Sequence, residues 1–216
     1  MQPIITLKDI SARYGSKIVL ENIHLTVYDH DFLGVIGPNG GGKTTLMHII
    51  LGLMKPSAGK VRYYEDGKEV KELSIGYLPQ YNDIDPQFPI SAYEVVLSGL
   101  NKQKRPWQQF TKQHYEMVEE TLSRLGLTAL RQRPIGTLSG GQLQRVLLGR
   151  AIVSKPQVVI LDEPNTYIDT AFQKEMYDIL GEINQDCAII IVSHDTSLLK
   201  ERAKHLVWVN RKIELN

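Results

Sequence analysis

Residues 37–45 read GPNGGGKTT. Gly37, Gly42, Lys43 and Thr44 fall in the register GxxxxGK[ST], the pattern of a loop that wraps phosphates with its backbone. The residue types suit that task. Glycines let N–H groups approach an anion closely. A lysine supplies a point charge between β- and γ-phosphates, and a threonine hydroxyl can ligate Mg2+. The flanks supply the context the pattern needs. Upstream, DFLGVIG (31–37) has strand composition; downstream, Leu46, Ile49, Ile50 and Leu53 recur at helical spacing, with KPSAGK (55–60) ending the helix. Strand, phosphate loop and helix in that order put the loop at the carboxyl end of a sheet strand, where ligands of parallel α/β sheets bind. The candidate nucleotide contacts are Gly37, Pro38, Asn39, Gly40, Gly41, Gly42, Lys43, Thr44 and Thr45.

A companion strand lies in QVVILDEP (157–164). Its apolar run belongs in the sheet centre, so Asp162 emerges at the strand end, positioned to hold Mg2+ through water. Glu163 follows, placed to orient and deprotonate a water for in-line attack on a γ-phosphate. Two adjacent acids alone would more often simply start a loop; beside a phosphate loop they gain meaning. Gln80 ends the strand SIGYLPQ (74–80), from which its amide could reach Mg2+ or the attacking water, and His194 ends IIIVSH (189–194). Both should fall on the nucleotide edge of one sheet.

Working outward, IITLKDI (4–10) and IVLENIHLTV (18–27) make the N-terminal segment β-rich, with YDHD (28–31) a turn and a hairpin turning at Asp66-Gly67. From residue 81 to about 145 the character becomes helical. Ser91 and Glu94 form a capping box with Ile90 and Val95 as its staple, and Tyr115, Val118, Leu122 and Leu125 share a helix face that stops at Gly126. Residues 171–183 read as an amphipathic helix and CAIIIV (187–192) as another buried strand. The expected architecture is α/β: a central, mostly parallel sheet, an N-terminal antiparallel β subdomain and an inserted helical subdomain. Residues 1–80 and 146–216 form the nucleotide-binding core and 81–145 the helical part.

The bulk numbers set limits. A net charge of +1 argues against a nucleic-acid binder working through a broad basic face. The basic run KQKRP (102–106) beside Trp107 reads as a solvated loop. The single cysteine, Cys187, permits no intramolecular disulfide. The N-terminus lacks the pattern of a signal peptide. The apolar runs fall far short of the roughly 20 residues that span a bilayer, so a membrane process would need a separate membrane partner. No His/Cys/Asp cluster has ligand spacing for a transported metal.

One more stretch resists a single-subunit reading. TLSGGQLQRV (137–146) is a second glycine-bearing helix start, whose N–H groups would also suit an anion. With GPNGGGKTT, Gln80, LSGGQLQR, VVILDEP and His194 in order, essentially the whole chain resembles the ATP-binding cassette (ABC) ATPases. That resemblance implies a head-to-tail homodimer, in which Ser139, Gly140, Gly141 and Gln142 of one copy cap the γ-phosphate of ATP held by the other. It also implies that Tyr14 stacks on adenine, Asp169 lies in the loop crossing the dimer interface, Gln80 links nucleotide to helical subdomain, and His194 senses the γ-phosphate. Two departures stand out: NTYID (165–169) replaces a small-residue run and makes Asn165 and Tyr167 unusual there, and Gly41 stands where alanine or serine is common. Lying in the loop or first turn, Gly41 is expected to be a harmless difference.

Within the family, a transporter motor is favoured over a non-transport ATPase of DNA repair or translation, and over an inactive regulatory subunit. No heptad tract is present, there is room for one cassette, and both Glu163 and His194 are retained. FPISAYEVVLSGL (88–100) resembles the corresponding stretch of zinc, manganese and iron-chelate importers, where the family docks its permease. The resemblance therefore implies ATP and Mg2+ as ligands. It implies an integral-membrane permease as partner, and indirectly an extracytoplasmic substrate-binding protein. The expected location is cytoplasmic, on the inner face of the membrane.

Overall fold

The structure, a computed structural model, describes residues 2–80, 88–164, 170–193 and 197–215. Strands β1 (Pro3–Tyr14) and β2 (Lys17–Tyr28) pair antiparallel, and β3 (Phe32–Ile36) leads to the phosphate loop and α1 (Lys43–Ile50). β4 (Ala58–Glu65) and β5 (Lys68–Val70) form the expected hairpin; Asp66 and Gly67 both take positive φ, 50° and 76°, as a two-residue turn of primed type requires. β6 (Ile75–Leu78) follows, then α2 (Ala92–Ser98), α3 (Lys112–Arg124) and α4 (Gly140–Ile152). The chain closes with β7 (Val158–Asp162), α5 (Thr170–Ile183), β8 (Ala188–Val192), α6 (Ser197–Arg202), β9 (His205–Asn210) and β10 (Lys212–Leu215).

These strands make two sheets. One has the order β2-β1-β4-β5 and is antiparallel; the other has the order β10-β9-β3-β8-β7-β6 and is parallel except for β10. The central strands β3, β7 and β8 are buried along their whole length. Their unbroken apolar sequences follow from that, because the pleat sends alternate residues into two different cores. Val159, Leu161, Ile189 and Ile191 face a core shared with α2 to α5, while Val158, Ile160, Ile190 and Val192 face one shared with α1 and the antiparallel sheet.

The helix ends correct two expectations. α1 stops at Ile50, before KPSAGK. Gly52 takes a left-handed φ of 71°, its N–H donates to the Ile49 carbonyl, and Leu53 N–H donates to His48. That is a Schellman stop, and it throws Leu53 off the core face to 68% exposure. α3 ends the same way at Gly126, but Tyr115, expected on its buried face, is 43% exposed, while Val118, Leu122 and Leu125 are buried. α2 has the expected capping box, with Ser91 Oγ accepting from Glu94 N–H at 3.2 Å. α4 runs unbroken across residues 145 and 146, so a single rod joins the helical region to β6.

Candidate functional site

The parallel strands β3, β6 and β7 end on one side of the sheet, and their carboxyl ends deliver the candidate residues to one cleft of about 460 Å³. β3 delivers the phosphate loop; Asn39, Gly40, Gly42, Lys43, Thr44 and Thr45 line the cleft. The loop turns because Gly42 takes φ 106°, in the left-handed half of conformational space. The first-turn N–H groups of α1 have no intrahelical acceptors and no side chain caps them, which leaves them available to an anion. Tyr14, at the end of β1, closes one wall of the cleft and remains 55% exposed, a free aromatic face suited to a base.

Lys43 is only 6% exposed. Its ammonium donates to the carbonyls of Gly37 at 2.9 Å and Pro38 at 3.1 Å, so the side chain folds back along its own loop. Burial pushes its pKa below the usual lysine range, and the nearby carboxylates of Glu163 and Asp162 push back against that shift. The cation thus braces its own loop while the carboxylates at the end of β7 favour its charged form.

β7 delivers the two carboxylates. Asp162 is buried at its last position, and Glu163 lines the cleft with a positive φ of 52°, fixed by its N–H donating to the Val192 carbonyl at 2.9 Å. A non-glycine residue in that conformation stores strain, commonly where function requires a fixed side-chain direction. Two residues beyond the end of β6, the Gln80 amide donates to Glu163 Oε2 at 2.9 Å. Sequence reading aimed Gln80 at metal or water; the structure puts it on the candidate base.

The second glycine-bearing helix start stands apart. Ser139, Gly140, Gly141 and Gln142 open α4, and none of them lines the cleft. Their arrangement is tighter than expected from the sequence. Ser139 Oγ accepts from Gln142 N–H at 3.3 Å and Gln142 Oε1 accepts from Ser139 N–H at 3.0 Å, a reciprocal capping box. The helix start is therefore already partly satisfied, with the Gly140 and Gly141 N–H groups left for an outside acceptor. The Ser-x-x-Gln spacing signals this box, as Ser-x-x-Glu does at α2. His194, Asp169, Asn165 and Tyr167 lie outside the described residues.

Sequence reading missed two contributions. Lys17 and Val19 line the cleft because the tight Gly15-Ser16 turn brings β2 alongside Tyr14. The β9–β10 turn also grips the phosphate loop. Arg211, in a left-handed conformation (φ 59°), donates its N–H to the Gly41 carbonyl at 2.9 Å, and its own carbonyl accepts from Glu21 N–H at 2.7 Å. The Val209 carbonyl packs so closely that a Cβ on Gly37 would collide with its oxygen. On Gly41 a Cβ would lie 2.7 Å from that oxygen and 2.9 Å from the Pro38 carbonyl. Glycine itself therefore fits this position, in line with the expectation that it does little harm, while two backbone oxygens occupy the space that a side chain would need. Gly41→Ala is expected to weaken ATP binding by about tenfold, the equivalent of about 1.4 kcal/mol of loop strain, as isothermal titration would record; unchanged affinity would show that the hairpin yields freely.

Known proteins share this architecture. The ABC transporter family profile matches residues 20–166. A Chlamydia pneumoniae protein, named as a metal transport system ATP-binding protein, is 42% identical over 214 residues, covering 97% of this chain and 87% of that protein. The zinc uptake system ATP-binding protein ZurA of Listeria innocua is 37% identical over 218 residues, covering 99% of this chain and 85% of that protein. Among solved structures, a metal-chelate type ABC transporter in an inward-facing conformation superposes with a TM-score of 0.89 at 26% identity, covering all of this chain and 83% of that one. These matches give no support to the DNA-repair or translation alternative. The chain belongs to the ABC transporter family and is one of its ATP-hydrolysing ATP-binding cassettes.

Proposed function

We propose that this cassette drives uptake of a metal ion or metal chelate through a separate membrane permease, working as a head-to-tail dimer. One observation carries the mechanism. The cleft gathers the phosphate loop, Gln80 and Glu163 but excludes the Ser139–Gln142 cap. A subunit with an unclosed phosphate cleft and a detached anion-binding helix start is what a composite site divided between two copies requires.

In that reading Tyr14 stacks on adenine and the loop amides and Lys43 hold the phosphates. Gly140 and Gly141 of the second copy close over the γ-phosphate. Glu163, aimed by its backbone and by Gln80, accepts the proton of the attacking water. His194 reads the γ-phosphate, and Asp169 sits at the dimer interface. The polar set at the cleft suits Mg2+, which takes oxygen ligands and keeps several waters and substrate phosphates: the Thr44 hydroxyl, the Gln80 amide oxygen and the Asp162 carboxylate would hold it. When bound, it would neutralise phosphate charge. The cargo is taken to pass through other subunits, among them an extracytoplasmic binding protein, as the resemblance to metal importers implies. No helix of the described residues is long and apolar enough to cross a membrane, in keeping with a cassette docked on the inner membrane face through the stretch around α2.

The metal reading draws on relatives named for zinc uptake and zinc import and on the FPISAYEVVLSGL stretch. A strain lacking this chain is expected to grow poorly under zinc, manganese or iron limitation, and to recover with the intact gene but not with a Glu163→Gln copy. Normal growth under all three limitations would refute the cargo class. For the dimer, Ser139→Arg should leave ATP affinity of the monomer unchanged while blocking ATP-driven dimerisation by light scattering. Loss of ATP binding by the monomer would instead place Ser139 in its own subunit's site.

A further inference from the structure

From residue 95 to residue 115 the chain carries no acidic residue and four cationic ones, in a protein whose net charge is only +1. Lys112 is paired with Glu116 at 3.6 Å, but Lys102, Lys104 and Arg105 enter no ion pair among the described residues. The segment leaves α2 through a 3-10 turn at Asn101–Gln103 and re-enters the fold at α3.

Between them Arg105 and Gln108 close a tight turn. Gln108 N–H donates to the Arg105 carbonyl at 2.9 Å, and the Gln108 side-chain oxygen accepts from Arg105 N–H at 3.0 Å. Pro106 occupies the second turn position, where its fixed φ is favoured. Trp107 is therefore held at the tip of a doubly pinned turn, 78% exposed, and belongs to neither hydrophobic core. Lys104 lies over the Phe110 ring at 4.8 Å, with Tyr115, also exposed, beside that ring at 6.3 Å. The sequence alone reads as a solvated loop. The structure adds that Trp107 is presented at the tip of a turn pinned by two hydrogen bonds, in a stretch that carries cations and no acids.

We propose that this basic-aromatic knuckle, residues 101–115, is a contact with the anionic surface of a lipid bilayer. Lys102, Lys104 and Arg105 meet the headgroups, and Trp107 beds at the boundary between headgroups and acyl chains. An indole with an apolar body and a polar N–H favours that boundary, and basic residues near an anionic leaflet are attracted within a Debye length. The inference rests on the proposed permease-bound reading only for bringing the knuckle to a membrane; the contact itself is a property of the isolated chain. Charge suits any anionic partner, and shape selects lipid over a nucleic acid, since a single exposed tryptophan on a small basic turn offers no extended groove.

The test uses the intact chain with vesicles of phosphatidylcholine, alone or mixed with phosphatidylglycerol. The chain should sediment with the mixed vesicles and not the neutral ones, with a blue shift in tryptophan emission. Replacing Lys102, Lys104 and Arg105 together by Gln should weaken sedimentation by at least about tenfold. Trp107→Phe should abolish the blue shift, leaving only Trp208 to report. ATP hydrolysis in vesicle-free buffer should stay at the parent rate in both variants. Failure to bind mixed vesicles, sedimentation unaffected by the triple replacement, or binding of a single-stranded oligonucleotide without vesicle binding would each overturn the proposal. Those outcomes leave growth under metal limitation unchanged, so they are separable from failure of the transport reading.

Discussion

Glu163→Gln is expected to bind ATP with parent-like affinity, accumulate as an ATP-bound dimer and hydrolyse at least about 10²-fold more slowly, the low end of what a general base contributes. The substitution conserves shape. The Gln80 amide, now 2.9 Å from Glu163 Oε2, can donate equally to the amide oxygen of a glutamine, and the Val192 hydrogen bond that fixes the backbone is untouched. What disappears is the proton acceptor. Phosphate release in steady state, with mass measured in parallel, checks the prediction. Equal turnover in mutant and parent would remove Glu163 as the base.

Lys43→Ala should act earlier in the cycle, on binding. The ammonium is an inner brace on the Gly37 and Pro38 carbonyls as well as a charge for the phosphates. Removing it leaves those two acceptors without that donor and deprives the cleft of the cation that offsets Asp162 and Glu163. A hydrogen bond to a charged group is worth about 1.5–3 kcal/mol, so ATP affinity should fall by roughly one to two orders of magnitude. The stabilisation that ATP gives against thermal unfolding should shrink accordingly. An ATP dissociation constant equal to the parent's would contradict the assignment of the phosphate loop.

What was legible in the sequence was whatever local physics writes into neighbouring residues. Continuous β-branched runs fix β7 and β8 as buried strands, and the glycine–lysine loop is recognisable because strand and helix flank it. Ser91 and Glu94 announce α2 through three-residue spacing, and Asp66-Gly67 announces its hairpin. The misses are contacts made at long range or by backbone atoms. That the Val209 carbonyl, which lies far along the chain, fills the space a side chain on Gly41 would need is invisible in the neighbouring residues. The grip of Arg211 on the loop is a backbone hydrogen bond and leaves no mark on residue identity. Leu53 continues the helical period on paper, but Gly52 had already ended the helix. Gln80 pointing at Glu163 depended on the relative register of β6 and β7. The role of the Ser139 helix start was not legible from physics at all. A capped helix end with two spare N–H groups suits any anion, and only the family resemblance says whose phosphate it meets.

The central claim is that neither copy owns a complete catalytic centre. Hydrolysis per chain, measured across a dilution series with mass determined at each concentration, tests it most directly. Specific activity should fall toward zero as the chain becomes monomeric and recover as dimers form with ATP. Constant specific activity in a demonstrably monomeric protein would contradict it.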